Sequence, residues 1–367
     1  MSTPRFVKTA LLLTLTVVQF RSAAGAAELE WGGYLRDDFT ITDRRYGAVV
    51  GNRLGNYLRL RLDLDAYVTD NVSVTATPQF IYLAGDRTLD PYLGTPLDSE
   101  YEVNLSRAQV DFFWDWLQIT LGKQRLKLST AYFYSPLDVF NPPDYTEPKS
   151  ERDGVLSARS TIYFTSFSGA RLIFQPEDTW HESPKAGRLF MTVWNFDLGA
   201  SYIEPGYDKI KTVGFDFAGS ISDVGLFGEA AFDAHSPTGR QYPRGTVGLN
   251  YGWRDGPNFT LEYYRDQRGA TDPKSYDIID YLEGKQLTLG RDMAGGYVTY
   301  YPHPLWLLSF AAMVNVHDES YYLNPSLTWS VYEDVELKIE TDYFGGPEIS
   351  EFYIQHPIYR VQVMAYF

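Results

Sequence analysis

Leu58-Arg59-Leu60-Arg61-Leu62-Asp63-Leu64-Asp65 alternates leucine with charge without a break. Successive side chains of an extended strand point to opposite faces. Leu54, Leu58, Leu60, Leu62 and Leu64 therefore share one face, and Arg59, Arg61, Asp63 and Asp65 the other. The pattern recurs along the chain. Ala108, Val110, Phe112 and Trp114 alternate with Arg107, Gln109 and Asp111. Val247, Leu249, Tyr251 and Trp253 alternate with Thr246, Gly248 and Asn250, and Val335, Leu337 and Ile339 with Glu336, Lys338 and Glu340. Polar faces this charged suit a wet interior, but a soluble sandwich also has one polar face per strand.

The connections separate the two. Short turns are expected at Thr69 to Asn71, Asp115-Trp116, Thr165 to Ser168, Asn195-Phe196, Ser222-Asp223, Arg254 to Pro257, Pro302 to Pro304 and Tyr332 to Asp334. Longer connections fall between them: Ala84 to Glu100, Leu128 to Asp153, Pro176 to Ala186, Glu204 to Asp208, Asp233 to Pro243, Asp266 to Leu289 and Asn315 to Glu319. Tight turns on one side and long loops on the other mark an outer-membrane barrel. The expected fold is all-β, a transmembrane antiparallel β-barrel of about 18 strands with short periplasmic turns and long extracellular loops. A barrel of this size encloses an aqueous channel rather than a filled core.

The first residues agree. Arg5 and Lys8 precede an apolar run from Thr9 to Phe20, and Ala24-Gly25-Ala26 offers a cleavage site. Residues 1–26 read as a signal peptide and 27–367 as a single barrel domain. No later stretch reaches the ~20 apolar residues of a spanning helix. The last strand, Tyr359 to Phe367, alternates and closes on a phenylalanine, as bacterial outer-membrane proteins do.

Composition removes several function classes. A formal net charge of -15 repels nucleic acid. Absence of cysteine excludes a disulfide framework and a covalently attached c-type haem. Tyrosine, phenylalanine and tryptophan make up 16% of the chain, which suits the aromatic rims of a barrel. The five histidines (His181, His235, His303, His317, His356) fall in turns or loops without a second ligand at metal spacing, so neither a metal, a cofactor nor an enzyme is expected.

The apolar faces meet lipid, since a charge at the bilayer midplane costs roughly 2–4 kcal/mol. The expected pore lining includes Arg36, Arg59, Arg61, Asp63, Arg107, Asp111, Arg125, Arg159, Arg171 and Arg360. Asp197, Asp216, Glu229 and Glu262 come from the opposite wall. Such segregation would set a field across the pore; the alternative is that these charges merely pair with neighbours and keep the lumen wet, which Asp63 and Asp65 near Arg59 and Arg61 fit. Lys123, Arg125 and Lys127 share parity with apolar Leu117, Ile119 and Leu121; either the strand bulges near Gly122, which a glycine in a strand favours, or the three cations lie at the extracellular rim. The stretch from Leu128 to Asp153 is long for a hairpin and stiffened by Pro136, Pro142, Pro143 and Pro148. It is expected to fold into the lumen as a constriction loop, with Asp138, Asn141 and Pro142 shaping its turns, the alternative being an outward loop.

Gly122-Lys123-Gln124-Arg125 followed by Ser135-Pro136-Leu137-Asp138-Val139-Phe140-Asn141-Pro142 resembles the alginate-export-like porins and related outer-membrane porins. The resemblance implies an 18-stranded barrel with a basic lumen that passes anionic polymers or small solutes. The expected function is an outer-membrane porin, embedded in outer-membrane lipid, for passive passage of small polar or anionic solutes. A barrel sleeve around a multihaem cytochrome partner and a polysaccharide export outlet with periplasmic partners are the alternatives.

Overall fold

The computed structural model describes residues 28–44, 51–85, 97–140, 152–206, 210–235, 241–282, 284–353 and 357–367. The expected signal peptide at 1–26 lies outside these. The described residues form 18 strands. The first six are β1 (Glu28–Arg44), β2 (Gly51–Thr69), β3 (Val72–Gly85), β4 (Leu97–Trp114), β5 (Leu117–Gln124) and β6 (Val155–Thr165). Next come β7 (Ser168–Phe174), β8 (Lys185–Val193), β9 (Phe196–Glu204), β10 (Lys211–Ile221), β11 (Val224–His235) and β12 (Arg244–Gly252). The last are β13 (Asn258–Asp266), β14 (Asp292–His303), β15 (Trp306–Asn315), β16 (Tyr321–Tyr332), β17 (Val335–Gly345) and β18 (Ile358–Tyr366).

Every strand pairs antiparallel with its sequence neighbours, and β1 pairs with β18 from Tyr34↔Tyr366 to Thr42↔Ile358. The sheet is therefore a closed barrel without an edge. Gly33 and Phe367 exchange both backbone hydrogen bonds, at 3.0 and 3.1 Å, so the final residue completes the seam. All eight expected tight turns lie at one end. Trp194, Ser222 and Asp334 sit in two-residue turns with φ near +53° to +60°, the left-handed region that such hairpins favour.

Alternation sorts the side chains. Leu54, Phe80, Leu121, Leu172, Leu189, Phe215, Val247, Leu261 and Ile339 are exposed outward. Trp31, Trp114, Trp116, Phe167, Trp194, Trp253, Trp329 and Phe367 form an exposed aromatic girdle at the turn end. The inner face is polar, with Asp38, Arg59, Arg61, Thr77, Gln79, Asp111, Glu229, Glu262 and Gln362 all buried.

One expectation is corrected. The pairing of β5 with β4 and β6 runs unbroken through Gly122. Gly122 does adopt φ +122°, and a Cβ there would stand 2.2 Å from the Ala108 carbonyl oxygen, so its freedom serves a close approach of strands. The bulge is in the neighbouring strand instead. Thr77 pairs with Arg107 and Pro78 with Leu105, leaving Ser106 as the extra residue in β4. That shift lets Val103 and Tyr101 face outward on one side of Ser106 and Val110 and Phe112 share the outward parity on the other.

The interior is partly filled. β5 is only 8 residues long and leaves the wall at Gln124. Where it departs, the N–H of Gly154 donates to the Ser106 carbonyl at 2.8 Å, joining the chain before β6 directly to β4. The following residues 125–140, called the strap below, run inside the barrel. Leu126, Leu128, Leu137 and Phe140 pack with Ile173, Ala186, Ile203 and Ala231 of the wall. Tyr134 joins Tyr264, Met293, Met313, Tyr322 and Phe352 in a second cluster.

Candidate functional site: the strap and the arginine wall

Two glutamates anchor the strap. Glu229 on β11 accepts the backbone N–H groups of Thr130 at 2.5 Å and Ala131 at 2.8 Å through one oxygen. Its other oxygen accepts the Ser135 hydroxyl at 2.6 Å. Glu262 on β13 accepts the N–H groups of Tyr132 at 2.8 Å, Phe133 at 3.2 Å and Tyr134 at 2.7 Å. Thr246 on β12, between them, donates its hydroxyl to the Tyr134 carbonyl at 2.5 Å. A chain crossing the interior has no ladder partner, and a buried unpaired N–H is costly. Five consecutive N–H groups are satisfied here by two carboxylates, each a charge-assisted acceptor.

The wall makes room for the strap where it lacks side chains. A Cβ on Gly295 would fall 2.6 Å from the Phe133 ring, so the ring lies against bare backbone. At the far end of the strap, buried Asp138 pairs with Arg152 at 2.6 Å. Burial raises the Asp138 carboxyl above the ordinary carboxylate range, against the pull of the Arg152 charge. Asn141 and Pro142, also expected to shape this loop, lie outside the described residues.

Across the barrel stands a wall of arginines, each held by neighbours. Arg36 pairs with Asp38 at 2.5 Å. Arg61 and Arg107 share Asp63, at 2.7 and 3.1 Å. The Arg59 guanidinium lies 5.0 Å from the centre of the Tyr57 ring. Asp111 accepts the Thr120 hydroxyl at 2.5 Å, and Arg159 donates to that same hydroxyl at 3.0 Å. Arg171 reaches the Thr161 hydroxyl at 3.4 Å, and Arg360 bonds Glu340 and lies 3.5 Å from Asp342. The structure brings nine of the ten expected lining residues into this set.

Arg125 stands apart. Buried Gln124, Leu126 and Leu128 take one side of the segment, and exposed Arg125 and Lys127 take the other. Arg125 donates to the Arg152 carbonyl at 2.7 Å. Lys123, on the same parity, pairs with Asp153 at 3.7 Å.

Several site residues were not singled out from sequence. Arg188 on β8 bonds Asp216 on β10, and Arg244 and Arg268 both approach Asp233. Arg188 and Arg244 occupy the polar face of alternating strands, which was the available signal. Arg36, Arg152, Lys338, Tyr132, Phe133 and Tyr297 border a cavity of about 580 Å³ between strap and wall. The remaining passage is thus bounded by the Tyr132 and Phe133 rings on the strap side, by Arg36 and Lys338 on the wall, and continues along β15 to β18, where Ser309, Asn324, Ser326, Thr328 and Gln362 face it.

The fold and this site define a closed barrel of 18 strands whose bore is narrowed by an inward strap. The chain is similar in fold to solved porins. OpdR (OccK11) of Pseudomonas aeruginosa matches 92% of this chain and 95% of its own, at 13% identity and a TM-score of 0.58. A triple mutant of the Rhodopseudomonas blastica porin matches 93% of this chain and all of its own, at 13% identity and a TM-score of 0.50. No family model and no curated protein matches the chain.

Proposed function

We propose that this protein is an outer-membrane channel for passive diffusion of small polar solutes, with a preference for anions. The observation that carries the reading is the position of the strap opposite the arginine wall. The strap narrows a bore that eighteen strands would otherwise leave wide. It leaves Arg36 of that wall, with Arg152 and Lys338, beside the narrowed passage. Glu229 and Glu262 are engaged by strap N–H groups, and of the acids that line the cavity, Glu340 is bonded to Arg360 and Lys338 while Glu336 stands near the turn end. Fixed cations in a confined space of low dielectric raise local anion concentration. An outward apolar band and an aromatic girdle at the turn end fit a bilayer with the turns in the periplasm.

A sleeve around a cytochrome and a polysaccharide outlet both need an unobstructed bore, and the strap crosses it. The test is single-channel recording of the refolded protein in a planar bilayer under a salt gradient. Steady conductance with a reversal potential of anion-selective sign is expected. Absence of current from a correctly folded barrel, or cation selectivity, overturns the reading.

A further inference from the structure

Three connections at the loop end meet at one carboxylate. Glu351, between β17 and β18, accepts the N–H groups of Leu289 and Gly290, from the β13–β14 connection, at 3.0 Å each. It also accepts Nδ2 of Asn315, at the end of β15, at 2.9 Å. Asn315 donates as well to Asp318 at 3.1 Å. Asp318 in turn accepts the Tyr276 hydroxyl at 2.5 Å and the backbone N–H of Glu351 at 2.8 Å. A Cβ on Gly290 would stand 2.2 Å from Asn315 Nδ2, so the contact closes only over a glycine. Next to Glu351, buried Phe352 enters the cluster that contains Tyr134 of the strap, and Leu287 packs on the same cluster.

We propose that residues 284–291, 315–320 and 346–353 form one lid over the half of the interior bounded by β13 to β17, and that Glu351 is its proton-operated lock. The inference rests on the channel reading above. The titratable groups that the other elements bring to Glu351 are Asp318 and Tyr276. Asp318 opposes a charge on Glu351, whereas the two N–H groups and Asn315 favour it. Glu351 is partly exposed as a residue, but protein crowds its carboxyl group. Burial outweighs the hydrogen bonds and pushes that group up to about 7. Tyr276 is pushed up as well, by burial and by Asp318, so it stays a neutral donor.

The sign follows from linkage. A carboxyl group whose value is raised in the closed lid stabilises closure fully below its ordinary range and loses that contribution as pH rises through 7. Protonated Glu351 leaves one charge, Asp318, in the knot. Ionised Glu351 sets a second carboxylate beside it and loosens all three connections together.

The test is bilayer conductance of the full barrel as the loop-side pH is raised from about 6 to about 8.5. Conductance of the native protein is expected to rise, and the rise to be lost in Glu351→Gln. An amide also lacks one acceptor, so a second variant guards against simple loss of the contact. The chain has no cysteine. Asn315→Cys with Glu351→Cys therefore places the only two thiols at the knot, and a short bis-methanethiosulfonate, which forms a disulfide with each thiol and releases methanesulfinate, should hold conductance at its low-pH level until dithiothreitol cleaves the link. A pH response equal in native and Glu351→Gln proteins, or conductance unaffected by the cross-link, overturns the lid and leaves the channel standing. No current at any pH overturns both.

Discussion

Leu137, fully buried in the strap, occupies the space that a side chain on Gly214 would take: a Cβ at Gly214 would stand 2.3 Å from Leu137 Cδ2. The strap end and β10 are therefore fitted to each other at the level of single carbon atoms. Gly214→Ala inserts one methyl into a filled interior, and overpacking of this kind costs about 1–3 kcal/mol. The variant is expected to unfold at lower temperature, and its single-channel conductance to rise as the strap is pushed off the wall.

Glu229 and Glu262 are expected to be worth more than their number of contacts suggests. Hydrogen bonds to a charged acceptor contribute about 1.5–3 kcal/mol, and here each acceptor serves several donors. Glu262→Gln turns part of a carboxylate into a donor facing the N–H groups of Tyr132 to Tyr134. Noisier, larger current steps are expected, with the barrel itself intact by heat-modifiable gel mobility. Unchanged steps would mean that the apolar clusters alone hold the strap.

The ion pair of Asp138 with Arg152 gives a pH-dependent signature. Burial already raises the Asp138 carboxyl, and Arg152 offsets part of that. Arg152→Ala leaves a buried charge without its partner, at a cost under the about 3 kcal/mol of fully buried pairs because Arg152 is partly exposed. Raised in the fold, Asp138 loses stability as pH rises through its value and regains it below. The thermal deficit of Arg152→Ala is therefore expected to shrink as pH falls, and Asp138→Asn in the same chain to remove it at neutral pH. Thermal scans across pH measure both.

Arg61→Ala with Arg107→Ala leaves Asp63 without either of its cations and reverses the local charge. The reversal potential should move toward cation selectivity. The shift should be smaller at high salt, which screens exposed charges over a few ångströms, the Debye length being about 3 Å at 1 M.

The two levels of the molecule were legible to different degrees for a physical reason. Strands and tight turns are local: Leu58 to Asp65 declares its two faces within eight residues, and Ser222-Asp223 or Asp115-Trp116 marks a reversal by itself. The long stretch after Gln124, with its prolines, pointed to an inward course. The anchors of that course left no local trace, since Glu229 and Glu262 bond residues about a hundred positions away and look like any acid on a polar face. The bulge misled for the same reason. Gly122 carries the usual mark of an irregular strand, whereas Ser106, the extra residue, carries none and is revealed only by what its partner strand pairs with.

One strand of the wall, β5, stops short of its neighbours. Strands stand about 4.7–4.9 Å apart around a barrel, so each one adds that much to its circumference. At Ser106 the chain before β6 bonds β4 directly, because β5 has already turned inward. At the level of Ser106 and Gly154 the wall thus lacks one stave, and the residues that follow β5 in the chain are those that enter the bore. Lengthening β5 to carry it up the wall would have to widen the mouth and clear the passage in a single step.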